Sequence, residues 1–236
     1  MTTLYLDCSQ GVQKDTFAMC VGALLPREKC NAIAQASGVA DVVSAGEAVN
    51  AGGGGNAGGG GNAGAGGNAG GGGNANDANA SAHHHHSMTE VRAKIEAKPL
   101  SQAAIAAALG VYDILAEAEA RVHGASTEDV HLHEVGSDEA IAWVCAAAAS
   151  MVELAADNVV AGPVCTGFGF VDCSHGRLSI PAPATADILE GIPTFVGDVE
   201  GELTTPTGAA LVRYFAEQFV SGEPAGCELV AQVGSW

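Results

Sequence analysis

Residues 3–25 read TLYLDCSQGVQKDTFAMCVGALL, and the change of period inside this stretch decides the fold class. Thr3 to Asp7 alternates apolar and polar side chains as a strand does; Asp15 to Leu25 then has helical spacing and stops at Pro26. The order is strand, loop, helix. Further along, Arg27 to Ala36 predicts a second helix ending at Gly38, followed by a short strand at Val39 to Val43. Ser101 to His123 predicts a long helix with Ile105, Leu109, Tyr112, Leu115 and Val122 near one face, closed by Gly124. Ser137 suits the cap of a helix running to about Ala156, with Asp138 and Glu139 where the helix dipole favours negative charge. Asn158 to Val164, Phe168 to Val171, Leu178 to Ile180 and Thr194 to Val199 read as strands. Pro183 to Leu189 reads as a helix with proline at its start, and Pro206 to Phe219 as a last helix capped by Thr205. This alternation predicts an α/β fold: a mixed, partly parallel sheet with flanking helices, whose strand-end loops converge on a site.

A long flexible Gly/Ala/Asn tether interrupts the pattern. Residues 45–82 are almost entirely Gly, Ala, Asn and Ser, with GGGGN and close variants repeated from Ala51 to Asn74, a composition that has nothing to bury. The organisation read from this is a strand–helix segment of the core at 1–44, a linker at 45–82, a His tract and connecting segment at 83–100, and the main α/β domain at 101–236. Roughly 200 residues remain outside the tether, enough for one sizeable core or two small ones.

Nine basic residues against 27 acidic ones give a formal charge of −18, which repels phosphate backbones and anionic lipid and so argues against nucleic acid as a partner. No apolar run reaches the roughly 18 residues of a membrane span. The start, MTTLYLDCSQG, lacks the basic and apolar blocks of a secretory signal. Seven scattered cysteines with no CxxC then read as reduced thiols, and the expected setting is cytoplasmic.

Three stretches carry chemistry. In Val130 to Val135, VHLHEV, an extended backbone would send His131 and His133 to one face and Glu134 to the other. The pair is then either a chelate or two structural imidazoles. The glycine-rich stretch from Gly167 to Gly176 adds Cys173 and His175, and a thiolate with imidazole suits nickel, copper or zinc better than magnesium or calcium; a turn with a buried thiol is the plainer alternative. Thr205, Thr207 and Gly208 open a helix, where hydroxyls and amides bind anions such as phosphate, although every capped helix has such groups. Asp7 and Asp15, like Asp198, Glu200 and Glu202, lie near strand ends as carboxylates for Mg2+ in nucleotide chemistry, or simply as exposed charges. His83, His84, His85 and His86 form a short internal tract suited to loose, labile metal capture; a tag remnant looks similar, but is usually longer and terminal.

At these residues the chain resembles the nickel-insertion family of lactate racemase maturation, the LarC family. The likeness rests on LYLDC at Leu4 to Cys8 with Gly11, Asp15 and Phe17, on the His tract after a spacer, on EAEARVHG at Glu117 to Gly124, and on HLHEVG at 131–136. Above all it rests on CSHGRLSIPAPATADILEGIP and GDVEGELTTPTGAAL between Asp172 and Leu211. The chain departs from the family pattern with SQGVQKD, where Lys14 replaces a glycine, and with Asp138, Glu139 and Trp143 after HEVG.

The resemblance implies a nickel chelatase that inserts Ni2+ into pyridinium bisthiocarboxylate mononucleotide, using CTP with Mg2+ or Mn2+, to make the nickel pincer cofactor of lactate racemase. It implies His131, His133, Glu134, Cys173, His175 and the tract His83 to His86 as metal-site residues. Asp7 and Asp15 become the catalytic carboxylates, and Thr205, Thr207 and Gly208 the contacts to a phosphate. The family's C-terminal part, associated with CTP, is not represented, so a separate C-terminal half is the expected partner in trans and lactate racemase the recipient. A homo-oligomer stays open, as does a non-catalytic nickel-holding protein built on the His tract, or a nucleotide-binding regulatory domain with structural histidines.

Overall fold

The structure, a computed structural model, describes residues 1–40, 42, 86–173, 176–225 and 227–234. In chain order its elements are β1 (Thr3–Asp7), α1 (Lys14–Gly22), α2 (Arg27–Ser37), β2 (His86–Ser87), α3 (Met88–Glu96), α4 (Gln102–His123), β3 (His131–Leu132) and, after a 3-10 turn at Glu134–Gly136, α5 (Asp138–Leu154). Then follow β4 (Asn158–Ala161), β5 (Val164–Cys165), β6 (Gly167–Phe168), β7 (Phe170–Cys173), β8 (Gly176–Ser179), α6 (Pro183–Ile188), β9 (Thr194–Phe195), β10 (Gly201–Glu202), α7 (Pro206–Phe215), β11 (Gln218–Phe219) and β12 (Leu229–Gln232).

The main sheet runs β11-β4-β1-β12 with every neighbour parallel. β1 lies inside it, Leu4 opposite both Val159 and Leu229, so the N-terminal strand is paired on both edges. Side chains alternate along a strand, and Leu4, Leu6, Val159, Ala161 and Ala231 face the helical core while Tyr5 and Val160 lie outside that cluster. Against this face α5 forms the centre. Its segment from Ala140 to Met151 is buried apart from Trp143, and the alanines at 146–149 let α1, α2 and α4 approach closely. A helix apolar all round is one that the core surrounds.

A second, β-rich region consists of short pairs: β5 with β9, β6 with β10, and the antiparallel β7–β8 hairpin. Backbone and side chains lace it to the loop after β1. The Val12 amide donates to the carbonyl of Leu203 at 3.0 Å and to Oγ1 of Thr204 at 3.0 Å, while the Thr205 amide donates to the Val12 carbonyl at 3.1 Å. Thr204, fully buried, also donates to the Cys165 carbonyl at 2.7 Å. A Cβ at Gly11 would stand 2.2 Å from the Leu203 oxygen, and one at Gly208 only 2.0 Å from the Val12 oxygen, so both close approaches require glycine. The starts of α1 and α7 are thereby fixed side by side.

The α/β class and the partly parallel sheet are as expected, and most elements fall within a few residues of their expected bounds. Three differences have physical causes. The strand expected at 130–135 is only His131–Leu132, because the chain turns into a 3-10 turn at Glu134. The segment at 83–100 is not a mere connection: α3 starts with a capping box between Ser87 and Glu90 and packs on α4 and α5. The last helix stops at Phe215 rather than Phe219, since the Glu217 and Val220 amides bond to the Val159 and Ala161 carbonyls and make β11 the edge strand. Val39 is not in a strand, while Val43, the tether at 45–82 and His83 to His85 lie outside the described residues.

Replacing Thr204 with valine should leave the Val12 amide with one acceptor fewer and the Cys165 carbonyl without this donor, costing about 1–3 kcal/mol in urea unfolding. Gly208→Ala should cost a similar or larger amount, roughly 1–3 kcal/mol or above, because the Val12 backbone has no flexible end to yield.

Candidate functional site

A cleft of about 260 Å3 opens where the helical core meets the β-rich region. Its walls come from the starts of α1 (Lys14), α5 (Ala140) and α7 (Thr205, Pro206, Thr207), the end of α4 (Glu119, Val122, His123), the turn at His133 to Val135, the hairpin residues Val171, Cys173 and Leu178, and Glu202 on β10.

Each polar group has a structural reason for its position. The turn bearing His133 and Glu134 is held from beneath by Tyr112, fully buried on α4, whose hydroxyl donates to the Val135 carbonyl at 2.8 Å. Directly after the turn, Ser137 caps α5 by accepting from the Ala140 amide at 3.2 Å. Cys173 ends β7 opposite Gly176, and its thiol donates to the Gly176 carbonyl at 3.4 Å. Glu119 and His123 stand one helical turn apart on α4, with His123 Nε2 3.4 Å from Glu119 Oε2. Thr205 caps α7 by accepting from the Gly208 amide at 3.2 Å.

The electrostatics divide the cleft. Burial first, and then the nearby Glu134, push the Glu202 carboxyl above its usual range. Two carboxylates therefore face a shared, partly desolvated space, a condition that a bound cation relieves. The same cleft is lined by Lys14 and by the start of α7, whose positive dipole end favours an anion. Thiol, imidazole and carboxylate donors line one cleft, yet among the described residues no three His, Cys, Asp or Glu side chains gather into a group that could hold a metal by itself.

Several expected site residues thus meet: His133, Glu134, Cys173, Thr205 and Thr207 all line the cleft. His131 does not. It is exposed on β3, because the strand ends before His133 and the same-face relation expected of an extended VHLHEV is lost. Gly208 is buried behind the wall, where its amide serves the Thr205 cap and its Cα abuts Val12. Asp7 and Asp15 are also outside the cleft wall: Asp7 accepts from the Ser9 amide at 3.0 Å and Asp15 from the Thr16 amide at 2.9 Å, both as local turn and helix-start contacts. His86 lies in β2 opposite Leu132, beside the turn, whereas His83, His84, His85 and His175 fall outside the described residues.

Sequence reading did not anticipate Glu119, His123 or Lys14 in the wall. The first two were legible as an i, i+4 pair within EAEARVHG, a spacing that puts both on one helix face. Lys14 stood out only as a departure from the family pattern, and its place in the wall depends on the lacing of Val12 to the start of α7.

Three known proteins similar to this chain share one name. The pyridinium-3,5-bisthiocarboxylic acid mononucleotide nickel insertion protein of Akkermansia muciniphila is 42% identical over 142 residues, covering 60% of this chain and 35% of the relative. That of Clostridium kluyveri is 48% identical over 113 residues, covering 48% of this chain and 28% of the relative. That of a Nocardioides species is 43% identical over 135 residues, covering 57% and 34%. The matched stretch is thus about a third of the length of these relatives. No solved structure matches the chain. A family model described as nickel insertion protein matches residues 4–232, nearly the whole chain, and with that match the chain belongs to the nickel insertion protein family.

Proposed function

We propose that this chain takes part in inserting Ni2+ into pyridinium bisthiocarboxylate mononucleotide, with the cleft as the place of transfer. The observation that carries this reading is the shared wall: His133, Glu134, Cys173 and Glu202 line the same space as the start of α7. Nickel is a borderline metal that accepts imidazole and thiolate. In this reading His133 and Cys173 hold the ion, Glu134 and Glu202 offset its charge, and Thr205 and Thr207 receive the phosphate of the mononucleotide.

An incomplete ligand group suits the task. A closed set of four protein donors retains its metal, as structural sites do, whereas transfer to an incoming sulfur ligand needs open positions. Two protein donors and the thiocarboxylates of the substrate supply what neither has alone. CTP with Mg2+ or Mn2+, a separate C-terminal half, lactate racemase as recipient and a cytoplasmic setting belong to the same proposal, supported by membership of the family. His131, His175 and the tract His83 to His86 then serve in delivery, and Asp7 and Asp15 in nucleotide chemistry.

Nickel titration against a competing chelator tests the site. His133→Ala and Cys173→Ser should each weaken Ni2+ binding on the order of tenfold, as loss of one charge-assisted contact predicts; equal affinity in wild type and both variants rejects the site. Replacing His83 to His85 with alanine should leave the tight component in place, and its disappearance would favour a nickel-holding role for the tract instead.

The acid pair sets a pH dependence with a defined sign. Because the folded protein raises the Glu202 carboxyl above 4.5, the folded state binds this proton more tightly than the unfolded chain, so stability falls as pH rises from 4.5 through the raised value. Glu202→Gln should flatten that fall in urea midpoints measured across the window. Added Ni2+ should restore stability above the window in the wild type and release protons as it binds.

A further inference from the structure

Folding leaves three of the chain's six phenylalanines exposed, and all three lie in the β-rich region. Phe168, Phe170, Phe195, Val196 and Val199 are each between 39% and 60% exposed, and they are five of the nine large apolar side chains exposed among the described residues. Backbone contacts join the segments that carry them. The Gly167 amide donates to the Val196 carbonyl at 3.1 Å, Phe168 is bridged to Glu200, the neighbour of Val199, and β7 follows β6 directly through Gly169. Single apolar residues scattered over a surface are ordinary, whereas five on adjoining segments mark a place of contact.

The β7–β8 hairpin has two unlike faces. Its pairing sets Val171 against Leu178 on one face, and Phe170 against Ser179 with Asp172 against Arg177 on the other. Val171, Cys173 and Leu178 line the cleft, so the first face is turned inward. The outer face carries Phe170, with the Arg177 guanidinium 4.6 Å from its ring centroid. A pair of strands of four residues each buries little by itself and gains from a second covering layer. The surrounding charge limits what that layer is. Asp172, Asp198 and Glu200 are exposed among the apolar side chains, and none forms an ion pair with a described residue. A second copy of this chain would bring the same three carboxylates and a charge of −18 against them, and nucleic acid or anionic lipid would be repelled in the same way.

We infer that the outer face of the β7–β8 hairpin, with Phe168, Phe195 and Val199 on the adjoining segments, docks a partner protein whose surface sets apolar side chains between lysines or arginines. The partner's apolar groups cover the phenylalanines, and its cations meet Asp172, Asp198 and Glu200. The surface is distinct from the donors of the cleft, which stand on the other face of the same hairpin. A partner seated there touches the element that carries Cys173 without entering the cleft.

Fluorescence anisotropy of the full chain with short labelled peptides tests the inference: one alternates lysine with phenylalanine and valine, a second alternates lysine with serine, and a third alternates glutamate with phenylalanine and valine. The first should bind at least about tenfold more tightly than either of the others, and its affinity should fall as salt rises. Phe170→Ser and Phe195→Ser should each weaken it about tenfold or more, as truncation of an aromatic anchor does. Asp172→Asn, Asp198→Asn and Glu200→Gln combined should flatten the salt dependence, while Val230→Ser, at an exposed apolar position outside the β-rich region, should leave binding unchanged. Equal binding of either control peptide, or full affinity in both phenylalanine variants, overturns the inference. Sedimentation velocity examines the other occupant: a wild-type dimer that Phe170→Ser dissociates assigns the face to a second copy and overturns it as well. Circular dichroism establishes that each variant is folded, and Val199→Ser replaces a phenylalanine variant that is not.

Discussion

The cleft exists because the backbone at Val12 is locked to the segment that leads into α7. Val12 both donates and accepts across this junction, Thr204 fills the remaining acceptor and donor positions, and glycines at 11 and 208 remove the side chains that would keep the two segments apart. In a parallel sheet the loops after the strands gather at one end, but nothing in that rule decides how closely two helix starts approach. Here the approach is set by backbone contact. Lys14 and Thr207 come to line one cleft only as a consequence.

From this constraint follows the division of charge in the cleft. The β-rich region carries Cys173 and Glu202, the turn before α5 carries His133 and Glu134, and both sets line the cleft that the helix starts also line. A Glu202 carboxyl whose proton affinity is raised by burial and by the neighbouring Glu134 is a standing cost in an empty cleft and an advantage with a cation present. The positive wall does the same for an anion. A metal ion and a phosphate-bearing ligand are thus favoured together, each offsetting what the other leaves unbalanced. Tyr112 and the Ser137 cap matter to this arrangement although neither supplies a ligand: they fix the turn, and a turn free to move would disperse the donors.

The expected pairing of His131 with His133 rests on strand alternation, a rule that holds only while the backbone stays extended; here the strand ends at Leu132 and His133 leads into the 3-10 turn. Gly208 reads in sequence as an open amide at a helix start, but close packing on Val12 gives it a structural task instead. Conversely, the capping box at Ser87 and Glu90 and the i, i+4 spacing of Glu119 and His123 were present as local patterns.

What local periodicity determines is the class of each element, because a helix or strand is selected by neighbours a few residues apart: TLYLD as a strand, Ser137 and Thr205 as helix caps, and the α/β alternation that follows. Composition likewise determines the acidic charge, and motif likeness the family. Which of those residues share a wall was decided only by tertiary structure. Lys14 and Thr207 are brought together by contacts spanning nearly the whole chain, among them the 192-residue separation between Val12 and Thr204. No local pattern encodes such a contact, because its energy comes from groups that are strangers in sequence until the sheet, the core and the glycine-cleared junction have formed.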